Sequence, residues 1–376
     1  MIAALFAAAA ISALGGAGVA VGPTCDLEHP SGKAGCTRAA VDALKMNQIQ
    51  VVGSHNSYKM AIAPKEMAAL AKINPKAAQT LDYSHESLTE QLNAGARQLE
   101  LDFVYDPEGG RYYTPLGRKL VPDTTPYDLE SMKKPGMKVI HVPDIDYRSV
   151  CPLLADCFRE IKAWSDKHPE HVPILIIFNL KQDQLKNVPG AVPLLPFDAK
   201  AMDAVDAEMR AVFRPDQLIT PDSVQGRHKT LREAVAAGAW PTLGKARGKF
   251  MLAMDEGPEV VAVYRGNRKS LEGRAMFINA PDENSPAAGY ITLNEPIKEN
   301  ARIQAAVKAG LIVRTRADAD TWEARRNDRA PQTAAFASGA QYVSSDYMHP
   351  DKRFSDYETH LPGGGVARAN PVTAKP

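Results

Sequence analysis

Eight short apolar runs, each four to six residues long, punctuate the chain at 50–54, 98–103, 138–142, 174–178, 250–254, 275–278, 311–314 and 341–344. Runs of this length, rich in Val, Ile, Leu, Met and Phe, have the composition of strands buried on both faces. Amphipathic sequence lies between several of them. Ser87-Leu88-Thr89-Glu90 is a capping box that opens a helix closed by Gly95. Residues 153–167 carry apolar positions at helical spacing and stop at Pro169, residues 199–213 repeat the pattern, and residues 303–309 run into Gly310. No internal repeat or low-complexity linker divides the chain. The Pro-rich stretch 188–193 reads as a loop in an enlarged connection after the fourth strand. The sequence from 361 reads as an irregular tail, disordered over 372–376. Eight strands with crossovers predict one α/β domain over residues 23–371, a (β/α)8 TIM-type barrel with local irregularity. An open doubly wound sheet shows the same periodicity, so the positions of the polar residues decide between them.

Those residues gather at the strand ends, where barrels place their chemistry. His55 and Asn56 follow the first run, Glu100 and Asp102 lie in the second, and His141 is near the end of the third. Asn179 and Lys181 follow the fourth. The later runs end in Asp255, Asn279, Arg314 with Arg316, and Asp346. One such residue is ordinarily a cap or loop residue, but a coincidence over all eight runs favours the barrel.

Glu100 and Asp102 are two apart on a strand and share a face, so two carboxylates crowd together in an apolar run. Burying like charges is costly unless something positive compensates. A hard divalent cation does so, with Asn56 offering an amide oxygen beside them. Salt bridges to Arg314 and Arg316, which also alternate onto one face, are the alternative. His55 and His141 suit proton transfer at a phosphoryl centre, and Lys181 and the arginines suit holding a phosphate. With no ligating thiol among these residues, calcium, or less favourably magnesium, is expected rather than zinc. The other seven histidines receive no role. The chain has no P-loop, no GxSxG elbow and no C-x-x-C.

Charge and cysteine content narrow the setting. The 376 residues carry 45 Lys+Arg against 44 Asp+Glu, which excludes an electrostatic nucleic-acid binder. Residues 1–22 have no charged side chain and end in small residues, as a signal peptide does; an uncleaved anchor is the alternative, because the positive n-region is reduced to the terminal amine. Export permits disulfides, and of the three pairings four cysteines allow, the local ones, Cys25–Cys36 and Cys151–Cys157, are the simplest; four reduced thiols are the alternative. A regular helix opening at Pro152 would hold Cys151 and Cys157 roughly 9 Å apart, so this second pair forms only if the helix starts late.

The segment Val52-Gly53-Ser54-His55-Asn56-Ser57-Tyr58 resembles the first catalytic motif of phosphatidylinositol-specific phospholipases C. Residues 95–102, GARQLELD, resemble the Glu-x-Asp metal motif of that group, and residues 138–147, KVIHVPDIDY, resemble the segment with its second catalytic histidine. The wording is similar to the secreted bacterial calcium-dependent phosphoinositide phospholipase C family, with further likeness at 314–318 and 338–347. The resemblance spans roughly 45–371. It implies a TIM-type barrel whose substrate's inositol 2-hydroxyl attacks phosphorus, releasing diacylglycerol and an inositol phosphate. It implies His55 and His141 as the catalytic pair, and Asn56, Glu100, Asp102 and Asn179 around Ca²⁺. Lys181, Arg314, Arg316 and Asp346 are the expected phosphate and substrate contacts. Where related enzymes have a glutamate, Asn179 stands here, which should weaken calcium binding.

Expected with this reading are a monomer, a secreted or periplasmic location, no nucleic-acid partner, and transient contact with a membrane surface. Met60, Ile62, Tyr112, Tyr113 and Leu116 are the loop candidates for that contact. The competing functions are a hydrolase of soluble glycerophosphodiesters, whose family would show His-Arg-Gly where this chain has His-Asn, and a barrel that binds a headgroup without turnover.

Overall fold

The apolar runs become strands because each is short, β-branched or bulky, and ended by polar residues. The computed structural model describes residues 21–122, 124–183 and 188–373. The expected leader lies outside the described residues except for its last two positions, as do residues 374–376 of the expected disordered tail.

The strands are β1 (Ile49–Ser54), β2 (Gln98–Val104), β3 (Lys138–Val139), β4 (Ile174–Leu180), β5 (Leu218–Ile219), β6 (Phe250–Met254), β7 (Phe277–Ile278), β8 (Tyr290–Thr292), β9 (Ile312–Arg316), β10 (Tyr342–Ser345) and β11 (Ala367–Ala369). Two parallel arcs form, β2-β4-β6-β7 and β8-β9-β10-β1. A parallel bridge between Asn279 and Tyr290 joins β7 to β8. At the other junction the Arg97 amide donates to the Val52 carbonyl (2.8 Å) and Gln98 Nε2 donates to the Ser54 carbonyl (3.1 Å). A side chain on Gly53 would put its Cβ 2.4 Å from the Gln98 carbonyl oxygen, so β1 and β2 meet this closely only because residue 53 is glycine. Eight parallel strands therefore surround one interior, the TIM-type arrangement expected, in irregular form.

Three expectations change. The run 138–142 is not a parallel barrel strand: only Lys138–Val139 is extended, and it pairs antiparallel with the upper end of β2. β2 and β4 pair directly instead, and the eighth strand of the ring is β8, three residues long, between β7 and β9. The tail from 361 is not wholly irregular, because β11 pairs antiparallel with the lower half of β1. Leu27 donates its amide to the Ala367 carbonyl (2.8 Å), so the segment around residue 27 also meets β11. The short β5, against β6, also lies outside the predicted set.

The helices follow their signals. Ser87 and Glu90 make the reciprocal capping box of the helix Leu88–Asn93, and Gly95 has φ +100°. The other predicted helices are Leu154–Lys167, Ala199–Val212 and Asn300–Lys308. The first starts two residues after Pro152, with Cys151 outside it, so Cys151 and Cys157 have α-carbons 5.3 Å apart and are bonded. Cys25–Cys36 is bonded as well. Among the described residues no helix is long and apolar enough to cross a membrane.

Candidate active site

His55 leaves the end of β1, and Asn56 beside it turns the chain in a left-handed conformation, φ 47°, which asparagine tolerates better than most residues. The His55 Nδ1–H donates to Asp346 Oδ1 (2.7 Å), just past β10. Arg316 Nη2 lies 3.4 Å from the same nitrogen and 3.6 Å from Asp346 Oδ2. Tyr83 stacks on the imidazole with ring centres 6.3 Å apart, and its hydroxyl accepts the Asn56 Nδ2 hydrogen bond (2.7 Å). Burial, with the Arg316 and Arg314 charges, holds His55 well below the usual histidine range.

His141 arrives by another route. It sits in the turn after β3, and its Nδ1–H donates to Asp146 Oδ2 (2.9 Å) within the same turn. The segment after β1 pairs with residues 148–150: the Val150 amide donates to the Tyr58 carbonyl (2.9 Å). This pairing brings His141 to the side of the barrel that carries His55. The same Asp146 oxygen lies 3.4 Å from Lys59 Nζ, and neither side chain is exposed. Lys59 Nζ also donates to the carbonyls of Leu81 (2.9 Å) and Tyr83 (2.7 Å). Burial alone would raise Asp146, but the Lys59 charge and the His141 contact hold it below the usual carboxylate range. His55, His141, Asn56, Tyr83, Arg316 and Asp346 all line one cavity of about 210 Å³.

Inside the barrel, Glu100 and Asp102 are buried on β2, as their spacing requires. Arg314 Nη2 donates to Glu100 Oε2 (2.6 Å) and Arg314 Nη1 to Asn294 Oδ1 (2.7 Å). Lys181 Nζ lies 2.8 Å from Asp102 Oδ2. Asn179 is in register with Asp102, and its Nδ2 donates to the Asp255 carbonyl (3.0 Å). Burial pushes Glu100 up to about 8, against the pull of Arg314 and with Asp102 and Asp255 adding to it.

Several expected phosphate contacts are thus engaged with the protein: Arg314 with Glu100, Lys181 with Asp102, and Asp346 with His55. Arg316 lines the cavity. Of the expected surface contacts, Ile62 and Tyr112 are buried, Tyr113 and Leu116 are half-buried, and Met60 is exposed. The sequence reading missed Lys59, Tyr83, Asp146 and Asp318. Asp146 was within the quoted KVIHVPDIDY motif, five positions after His141. Asp318 accepts the Ser345 hydroxyl (2.5 Å) and the Asp346 amide (2.8 Å), and burial with repulsion from Asp346 pushes it to about 7.

Calcium requires hard oxygen donors. Asn56 Oδ1 and Asp102 Oδ1 are buried with no hydrogen-bond partner, a costly arrangement that a bound cation relieves. The donor chemistry therefore fits calcium. It is lean in charge, since among the described residues no three His, Cys, Asp or Glu side chains group as a metal cage. Two carboxylates and two amides make up the set.

Two histidine–carboxylate pairs sit over a TIM-type barrel, and the class, a phosphoric diester hydrolase, follows from the family to which the sequence matches. The family model described as Phosphoinositide phospholipase C, Ca2+-dependent, matches residues 44–371, and the chain belongs to that family, whose members depend on calcium and act on phospholipids. Among solved structures, the calcium-dependent phosphoinositol-specific phospholipase C of a Pseudomonas species shares 18% identity over 87% of this chain and 96% of its own, with a TM-score of 0.54. The Ca²⁺-dependent phosphatidylinositol-specific phospholipase C of Streptomyces antibioticus shares 19% identity over 81% and 95%, with a TM-score of 0.53. Both show the same fold. A search of curated protein sequences finds no match.

Proposed function

We propose that this chain cleaves phosphatidylinositol-type phosphodiesters to diacylglycerol and an inositol phosphate, with His55 and His141 as the proton-transfer pair. The observation that carries the reading is that each imidazole gives its Nδ1–H to its own carboxylate and both rings line one cavity. That fixes tautomer and orientation and turns each Nε2 away from its carboxylate partner for exchange with the substrate, the His55 Nε2 lying 3.6 Å from Glu100 Oε1. One histidine takes the proton of the inositol 2-hydroxyl as its oxygen bonds to phosphorus, and the other gives a proton to the diacylglycerol oxygen as that P–O bond breaks, leaving a cyclic inositol phosphate. Arg316, on the cavity wall, faces the phosphoryl charge. Asn56, Glu100, Asp102 and Asn179 would hold calcium, which when bound supplies charge stabilisation at phosphorus and acidifies the attacking hydroxyl. The Pseudomonas structure, described as a myoinositol complex, supports inositol as the headgroup.

A lipid substrate requires apolar contact at the mouth. Met60, Ile73, Leu120 and Ile297 are exposed, and each lies in a connection that follows a parallel strand. We place the enzyme outside the cytoplasm, consistent with two disulfides, and as a monomer.

The test offers phosphatidylinositol, glycerophosphoinositol and glycerophosphocholine to purified protein, with calcium or with EDTA. Turnover of phosphatidylinositol that EDTA abolishes supports the assignment. Turnover that EDTA leaves intact removes the metal, and hydrolysis of the soluble diesters alone removes the lipid. Asn179→Glu should tighten calcium binding in a titration; weaker binding would place residue 179 outside the metal's reach.

A further inference from the structure

Each acidic residue of β2 already has a cation on it, and the two cations differ. Arg314 is rooted: its side chain is 1% exposed and is shared between Glu100, Asn294 and, at 3.8 Å, Asp255. Lys181 is tethered at one end only. Its backbone continues the sheet, with the Lys181 amide donating to the Phe103 carbonyl (2.8 Å). From there its side chain crosses to the neighbouring strand, is 26% exposed, and has Asp102 as its ion-pair partner. Asp102 is therefore split, one oxygen on Lys181 and the other buried and unpartnered. With Arg314 on Glu100 and Lys181 on Asp102, each of the two acids faces a cation before any ion arrives.

We propose that Lys181 is an internal competitor of calcium: it occupies Asp102 in the metal-free protein, must swing off when the ion binds, and in doing so presents its ammonium to the substrate phosphate. The inference rests on the reading of Asn56, Glu100 and Asp102 as calcium ligands. A divalent cation placed on Asp102 while Lys181 stays there sets two cations against one carboxylate, which weakens the ion unless Lys181 leaves or an anion joins. A flexible lysine stem toward solvent permits the exchange where the buried guanidinium does not. Calcium and a phosphodiester should then bind with positive and reciprocal coupling.

The experiment is calorimetric titration of Ca²⁺ into the full chain, without substrate, for wild type, Lys181→Met, Lys181→Gln and Lys181→Arg. Both neutral variants should bind calcium about tenfold more tightly or better, and the arginine variant should stay near wild type. Melting in EDTA gives a second readout, because the neutral variants should melt below wild type, with Asp102 left unpaired, and calcium should raise their Tm more than it raises that of wild type. Unchanged or weaker binding in both neutral variants, with wild type still binding, overturns the competition and leaves the calcium site intact. No calcium response in any of the four proteins overturns the site and the competition together.

Discussion

The two histidines that line the one cavity are held by opposite means. His55 is held by the barrel: it follows a strand whose every residue is buried, and its carboxylate partner, Asp346, comes from the end of the adjacent parallel strand. His141 is held by a turn: its partner lies five residues on, and the turn is anchored by one fully buried lysine. The first arrangement takes its rigidity from the sheet ladder, which many residues share. The second concentrates its rigidity in a few ionic contacts, so it is the half that a single substitution can loosen.

The largest expected effect does not distinguish the halves. His55→Ala and His141→Ala should each lower phosphatidylinositol turnover by about 10³-fold in protein that is still folded by circular dichroism; near-wild-type rates in either would end the two-histidine mechanism. Lys59→Met should distinguish them. Removing this cation leaves Asp146 buried without its charge partner, a loss of about 3–5 kcal/mol in urea unfolding. Turnover should fall through His141 while the Asp346 contact to His55 remains; an unfolding midpoint equal to wild type would refute the anchoring role.

The two orienting carboxylates should also respond to pH with opposite sign. Asp146 lies below its ordinary value in the fold, so its contribution is present above about pH 4 and is lost as pH falls through the lowered value. Burial raises Asp346 despite Arg316, so stability is full below about pH 4 and is lost as pH rises through the raised value. Urea midpoints measured from about pH 3 to about pH 8 should show the deficit of Asp146→Asn growing with pH. Asp346→Asn should instead gain on wild type over the same range. Curves of the same sign would erase the contrast. The smallest effect is expected at Tyr83, which touches both halves: Tyr83→Phe removes the acceptor of the Asn56 amide and should cost about 1 kcal/mol.

The same contrast explains what could be read from the sequence. The barrel half was legible because strand ends are local: an apolar run followed by His-Asn, or by Ser-Ser-Asp, marks both the strand and the polar residue at its mouth. The Glu100 and Asp102 spacing likewise settles their shared face from periodicity alone. The turn half was not legible in this way. Residues 138–142 have the composition of a parallel strand, and composition does not state pairing direction, so β3 was placed in the ring. β8 has three residues and falls below what a periodic pattern can register. Lys59 carries no local sign that Asp146 and the Leu81 and Tyr83 carbonyls will surround it, since those contacts exist only once the chain has folded. Lys181 was recognisable as a basic residue at the mouth, but its partner on the neighbouring strand depends on register.

The lower edge of β1 is covered by β11, and the amide of Leu27 closes onto the same segment. The first strand of the barrel is thus finished by residues 367–369, far along the chain. A chain emerging from a ribosome or a secretion channel exposes that edge until residue 369 has appeared, and an open edge is a template for pairing with other chains. Contacts of such long sequence separation also form slowly. The order of synthesis therefore leaves the lower edge of β1 open to misassociation until β11 arrives.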